Sequence, residues 1–171
     1  MEIQQSHYEF KSAPIEHQII LIAENIRTPE NAGMMMRLSD AFGIQQLFFV
    51  GEHALGLSTK VKRASRNTYK TVNFQYITDA TEIISDFTKE GFTPIALEIT
   101  NSSKPLKAFE AKINQKLVVI VGAERQGVSE NLLKLCTEHY HIPMFGKNSS
   151  INVVNALAIG LYKITEIQSG E

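Results

Sequence analysis

A chain of 171 residues suits one domain with a sizeable core. Its 43% hydrophobic and 20% charged residues exclude a disordered chain, and its net charge of −1 excludes bulk charge as a means of recruiting nucleic acid. Cys136 is the single cysteine, so no intrachain disulfide can form, and a reducing, cytoplasmic setting is expected. The opening "MEIQQSHYEFKSAPIEH" is polar and lacks a signal-peptide core. No apolar run approaches the ~20 residues of a membrane span.

In chain order, "HQIILIAE" (17–24) is a continuous Ile-rich run and reads as a buried strand. "TPENAGMMMRLSDAFG" (28–43) reads as a helix, with Thr28 as N-cap, Pro29 at the first helical position and Gly43 past its end. "QLFFV" (46–50) is a strand. "DATEIISDFTKEG" (79–91) is a helix between Asp79 and Gly91. "FTPIALEI" (92–99) and "KLVVIVGA" (116–123) are strands. The segment 101–111 reads as a loop. "SENLLKLCTEH" (129–139) is a helix capped by Ser129, "YHIPM" (140–144) a strand, and 151–168 the last helix. Strands alternating with helices predict one α/β domain, a largely parallel sheet flanked by helices.

Such a sheet binds ligands at the carboxyl ends of its strands. Three polar loops leave predicted strand ends: "NIRTPENAG" with Asn25, Arg27 and Asn31; "GAERQGVSENL" with Gly122, Glu124, Arg125 and Gly127; and "FGKNSSIN" with Ser150 and Asn152. Taken singly these residues have plain structural uses. Asn31 can serve a helix N-terminus, Gly122 and Gly127 can make turns, and Glu124 can be a loop charge. Ser150 can cap the last helix, and a mid-helix Arg37 can be a solvated face. Other chemistries lack support. No G-x-G-x-x-G follows the first strand and no G-x-x-x-x-G-K-[ST] occurs. His139 and His141 would face one side of a strand without a third ligand, so no metal site is expected. Cys136 falls on the apolar side of its helix and reads as core.

Together, "NIRTPENAGMMMRLSDAFG", "IVGAERQGVSENLL" and "IPMFGKNSSINVVNALAIGLYKI" resemble the three ordered motifs of the SpoU/TrmH family of the SPOUT class, and the likeness runs from about residue 17 to 168. The resemblance implies an S-adenosylmethionine-dependent methyltransferase acting on a ribose 2′-hydroxyl of tRNA or rRNA. It also implies a C-terminal deep trefoil knot, a feature rare enough that periodicity alone never predicts it. By the same likeness, Leu97, Glu98, Thr100, Gly122, Gly127, Ile142 and Ile151 would hold the cofactor. Arg37, Asn31, Glu124, Ser150 and Asn152 would serve catalysis. A base methyltransferase, or a non-catalytic RNA-binding module on the same fold, is the alternative; the pair Asn31 and Arg37 favours ribose.

The chemistry asks for alignment of oxygen, carbon and sulfur and for removal of a hydroxyl proton. A guanidinium stays protonated, so Arg37 would act by holding an RNA phosphate in its planar fork rather than as a base. Five cations without an acid, Lys60, Lys62, Arg63, Arg66 and Lys70, lie in "TKVKRASRNTYK" (59–70), beside Tyr69, and fit phosphate contact. Many relatives carry an added RNA-binding domain. Only about sixteen residues precede the first strand here, so RNA capture would fall to the domain itself. The last helix is apolar nearly all round, which calls for two covering surfaces and predicts a homodimer.

Overall fold

The computed structural model describes residues 14–52, 56–123 and 125–166. β1 (His17–Glu24) is followed by α1 (Pro29–Ala41), β2 (Gln46–Val50), α2 (Thr59–Ser65), β3 (Phe74–Ile77) and α3 (Thr81–Lys89). Then come β4 (Thr93–Leu97), β5 (Lys104–Pro105), β6 (Gln115–Val121), α4 (Glu130–Leu133), β7 (Glu138–His141) and α5 (Val153–Thr165). Short 3-10 turns occupy Thr68–Lys70 and Leu106–Ala108. Among the described residues the sheet has seven strands in the order β3-β2-β1-β6-β4-β7-β5, and their pairings are all parallel.

A parallel strand in mid-sheet is covered on both faces, which is why β1 and β6 carry unbroken apolar runs. Alternate residues serve opposite layers. Ile19, Leu21, Ala23, Leu117, Val119 and Val121 pack with Met35 and Met36 of α1 and Leu157 and Leu161 of α5. Ile20, Ile22, Val118 and Ile120 pack with Ile84 of α3 and Leu132 of α4. The α/β class and the parallel sheet are as expected.

Several element bounds differ from expectation. The helix at 129 is a single turn, capped by Ser129, and 138–141 is already strand. Thr137 N–H donates to Pro94 O at 2.9 Å, and His139 and Tyr140 pair with Ala96 and Leu97. Edge pairing with β4 thus wins over helix propensity, and the strand expected at 140–144 lies at Glu138–His141. α5 starts at Val153, because the side chain of Asn152, not Ser150, accepts from Val154 N–H at 2.8 Å. It ends at Thr165, and the expected end at Gln168 lies outside the described residues. β3 and β5 are short edge strands that the sequence pattern did not announce. β3 is seated by Tyr76 stacking on Phe49, with ring centroids 5.2 Å apart.

α1 and α2 meet without a side chain between them. A Cβ built on Gly33 would stand 2.5 Å from Ala64 Cβ and 2.7 Å from Ser65 N. Gly33→Ala must therefore push α2 off α1, and we expect a loss of about 1–3 kcal/mol in denaturant unfolding. Gly146→Ala, where nothing lies within 4 Å, should stay within about 0.5 kcal/mol of the parent. Equal stability of the two variants would show that the helix contact is not tight.

Candidate active site at the carboxyl ends of the central strands

Two adjoining cavities open where β1, β4, β6 and β7 end. The first, of about 370 Å³, is walled by Leu97, Glu98 and Ile99 after β4, by the loop after β6, and by Tyr140, His141, Ile142 and Met144. Ser149, Ser150 and Ile151 close it before α5. The second, of about 340 Å³, is lined by 25–28 and Asn31. The two share Ala123, Arg125, Gln126 and Val153. Both volumes fall in the range of small-molecule sites, about 300–1,000 Å³.

The wall between the cavities is the loop after β6. It folds back on itself: Gly127 N–H donates to Ala123 O at 2.8 Å. A Cβ on Gly122 would lie 2.0–2.2 Å from the backbone of Gly127 and Val128, so only glycine permits this closure. Two carboxylates, one at the end of β1 and one just after β4, then hold the loop. Glu98 Oε2 accepts from Val128 N–H at 2.9 Å, and Glu24 Oε2 accepts from Ser129 N–H at 2.7 Å. Glu98 Oε1 also accepts from Ile99 N–H at 2.8 Å. Glu24 is buried, so its bond is made out of water, where charge-assisted bonds count most.

The β7 wall is tied to the segment after β4. His139 Nδ1 lies 3.0 Å from Thr100 Oγ1, and His141 Nδ1 lies 2.9 Å from Ser103 Oγ. The two histidines do face one side, toward this loop. Among the described residues no group of three or more His, Cys, Asp or Glu could hold a metal ion. Tyr140 donates its hydroxyl to Glu138, and burial, then this carboxylate, push the phenol's pKa up. Lys104, 2.5 Å from Glu138, and the Tyr140 hydroxyl hold that carboxyl below its ordinary value.

Of the residues expected to hold a cofactor, Leu97, Glu98, Gly122, Gly127, Ile142 and Ile151 line the first cavity. Thr100 does not; its hydroxyl is turned to His139. Of those expected in catalysis, Ser150 lines the first cavity and Asn31 the second. Asn152 donates to Asn31 Oδ1 at 3.3 Å, joining the start of α5 to the first turn of α1. Arg37 is exposed on α1 and lines neither cavity. Glu124 lies outside the described residues. Lys60, Lys62, Arg63, Arg66 and Lys70 are all exposed on α2 and the turn after it. Lys62 and Lys70 hold their ammonium groups 5.7 and 5.8 Å from the Tyr69 ring centroid. Glu24 was missed, because nothing in a strand's last residue signals that it will reach another loop's amide.

Residues 18–162 match the SpoU rRNA Methylase family. The chain belongs to the SpoU rRNA methylase family. It is 27% identical over 149 residues to the tRNA (guanosine(18)-2'-O)-methyltransferase of Aquifex aeolicus, covering 86% of this chain and 69% of that one. It spans 57–58% of the length of staphylococcal relatives of the TrmH family. The crystal structure of the A. aeolicus TrmH/SpoU tRNA modifying enzyme superposes with a TM-score of 0.77 at 26% identity, over 88% of this chain and 76% of that one. The fold is shared with an AdoMet-bound rRNA methyltransferase of Sinorhizobium meliloti, TM-score 0.77 at 22% identity, over 86% and 55% of the two chains. Within this SpoU-family domain, the second and third sequence motifs join the segment after β4 to wall the first cavity, and the first motif joins the shared wall to line the second.

The loop clamp is directly measurable. In amide hydrogen exchange, Glu98→Ala should speed exchange at Val128 and spare Ser129, while Glu24→Ala should do the reverse. Loss of a bond to a charged acceptor, worth about 1.5–3 kcal/mol, corresponds to roughly 10- to 150-fold faster local opening. Unchanged exchange in both variants would show that the carboxylates do not hold the loop. Cys136 offers a second check. Its Sγ donates to Leu132 O at 3.3 Å, and burial pushes its pKa up to about 12. At about pH 8 the thiol is protonated in the folded state, so alkylation should be far slower than in the unfolded chain.

Proposed function

We propose that the chain transfers a methyl group from S-adenosylmethionine to a ribose 2′-hydroxyl of tRNA or rRNA. The observation that carries this is the pair of cavities sharing one wall, in a chain of the SpoU family. One cavity has apolar seats at Leu97, Ile142 and Ile151 beside a Glu98 carboxylate and a backbone-rich loop, a lining that fits an adenosyl group with a charged amino-acid end. The other opens beside Asn31, next to the helix that carries Arg37.

Bound in the first cavity, S-adenosylmethionine supplies a methyl carbon already activated by its sulfonium. The protein's share is positioning. The Gly122 and Gly127 closure fixes the shared wall, so the two ligands meet at a set approach. Asn31 and Asn152 lock the start of α1 to the start of α5. Ser150, on the wall of the first cavity, would hydrogen-bond within the closing loop once ligands are bound, and Glu124 and Asn152 would fix the RNA or the cofactor's amino-acid end. Arg37 is permanently charged, and its fork holds a phosphate beside the target sugar, which can accept the hydroxyl proton. The five cations of α2 and its following turn carry the RNA backbone. The work is done in the cytoplasm.

The working unit is a homodimer. The exposed side of α5 carries large apolar side chains beside Asn155, with Ile159 45% and Tyr162 64% exposed and Ile151 just before the helix at 39%. α1 covers another side of α5, so one further surface suffices. In that dimer Arg37 serves the partner's cavity, which accounts for its absence from the walls of its own. The deep trefoil knot of the C-terminal segment is part of the same reading. It is supported by β6 running between β1 and β4 while β7 lies on the far side of β4.

S-adenosylhomocysteine should bind the parent in calorimetry, and Gly122→Ala should bind it at least about tenfold more weakly. Arg37→Ala should keep that binding and lose methyl transfer, and Arg37→Lys should not restore it. Nucleoside mass spectrometry of RNA from cells lacking the protein should miss a 2′-O-methylated nucleoside; a missing base-methylated one would overturn the ribose assignment. Light scattering at micromolar concentration should give a dimer mass, and mixing Arg37→Ala with Gly122→Ala should recover part of the activity. A fully active monomer would overturn the dimer.

A further inference from the structure

Phe145 is 99% exposed. Its chain neighbours fix where it stands. Met144 before it and Ser149 and Ser150 after it line the first cavity, so the segment that carries the ring borders that cavity. Among the described residues it makes no ring–ring and no cation–π contact. It therefore contributes nothing to this fold's packing while bearing the full cost of an apolar ring in water.

The surroundings say what would cover it. Residues 142–152 contain no acid, and Gly146, Lys147, Asn148, Ser149 and Ser150 after the ring are all exposed. A protein-docking patch is built from contiguous apolar surface. Here the exposed ring leads into five exposed residues, Gly146 to Ser150, none of which is apolar beyond a glycine and one of which is a lysine. That combination matches an unpaired nucleotide: a ring for the base, an ammonium for the phosphate, amides and hydroxyls for base edges and the 2′-hydroxyl.

We infer that Phe145 is a base-stacking residue, which takes the face of an unpaired RNA base next to the target ribose while Lys147 meets the adjoining phosphate. This rests on the RNA-directed reading above and adds to it a preference for unpaired over duplex RNA. A stacked base cannot be reached inside an A-form helix, so the protein selects a loop or a flipped-out nucleotide.

The chain contains no tryptophan, so Phe145→Trp places a single indole reporter at the site and keeps an aromatic face. Titration with a mixed-sequence single-stranded oligoribonucleotide should quench its emission saturably, and the same sequence as a duplex should quench it less. S-adenosylhomocysteine alone, or dilution of the protein, should leave it unchanged. Phe145→Ala should bind the oligoribonucleotide about 5- to 150-fold more weakly and bind S-adenosylhomocysteine as the parent does. Emission that ignores RNA in a variant that still methylates would overturn the stacking site alone. Emission that responds to S-adenosylhomocysteine alone would make the ring a cover for the cofactor. Emission that changes on dilution would make it a contact between copies. Either result overturns the inference. Quenching by RNA in a protein that methylates none would leave the stacking site standing and overturn methyl transfer instead.

Discussion

The arrangement depends on how the loop after β6 is closed. Its closure needs Gly122, because any side chain there would strike the backbone of Gly127 and Val128. It is then gripped from two sides by Glu98 and Glu24, which accept the successive amides of Val128 and Ser129. These carboxylates belong to β1 and to the segment after β4, the strands on either side of β6. The sheet order thus becomes a property of the site: moving either flanking strand moves the wall that both cavities share. A loop held by anions to its own backbone amides also needs no bulky side chain for support, which leaves its surface to the ligands.

The two cavities divide the work by chain segment. The walls of the first come from β4, β6 and the run into α5; those of the second come chiefly from the β1–α1 connection. The hydrogen bond from Asn152 to Asn31 spans the two, linking α5 to α1 at their starts. Both asparagines sit at helix N-termini, where an amide can serve the backbone with one atom and a distant side chain with the other. Asn152 does this, since its Oδ1 accepts from Val154 N–H while its Nδ2 donates to Asn31.

Much of this was legible in the sequence, and the reasons are local. β1, β2 and β6 announce themselves because strands covered on both faces must be apolar at every position. α1 is bracketed by Pro29 and Gly43. The three polar loops stand out because they hold more hydrogen-bonding groups than a turn requires. What escaped was set by partners far away in the chain. β3 and β5 are strands only because β2 and β7 offer them an edge. The residues from Thr137 onward leave the helix because β4 pairs with them. Thr100 turns from the cavity because His139 faces it, and Glu24 becomes a clamp only once β6 has been laid beside β1. Arg37 was legible as a family position, but its relation to a cavity is not something the periodicity of α1 can supply.

The pairing of β1 with β6 also sets a schedule for synthesis. His17 lies beside Gln115 and Ala23 beside Val121, so the first described strand completes its central ladder only with one made much later. Until β6 is available, β1 has only β2 beside it, and its second edge stands open. Contacts this remote in sequence are costly to close and slow to form. The nascent chain must therefore carry an unfinished, adhesive edge through most of its translation, and the site loop cannot exist until that edge is sealed. For this protein, the arrival of the wall between the two cavities and the end of the aggregation-prone interval are the same event.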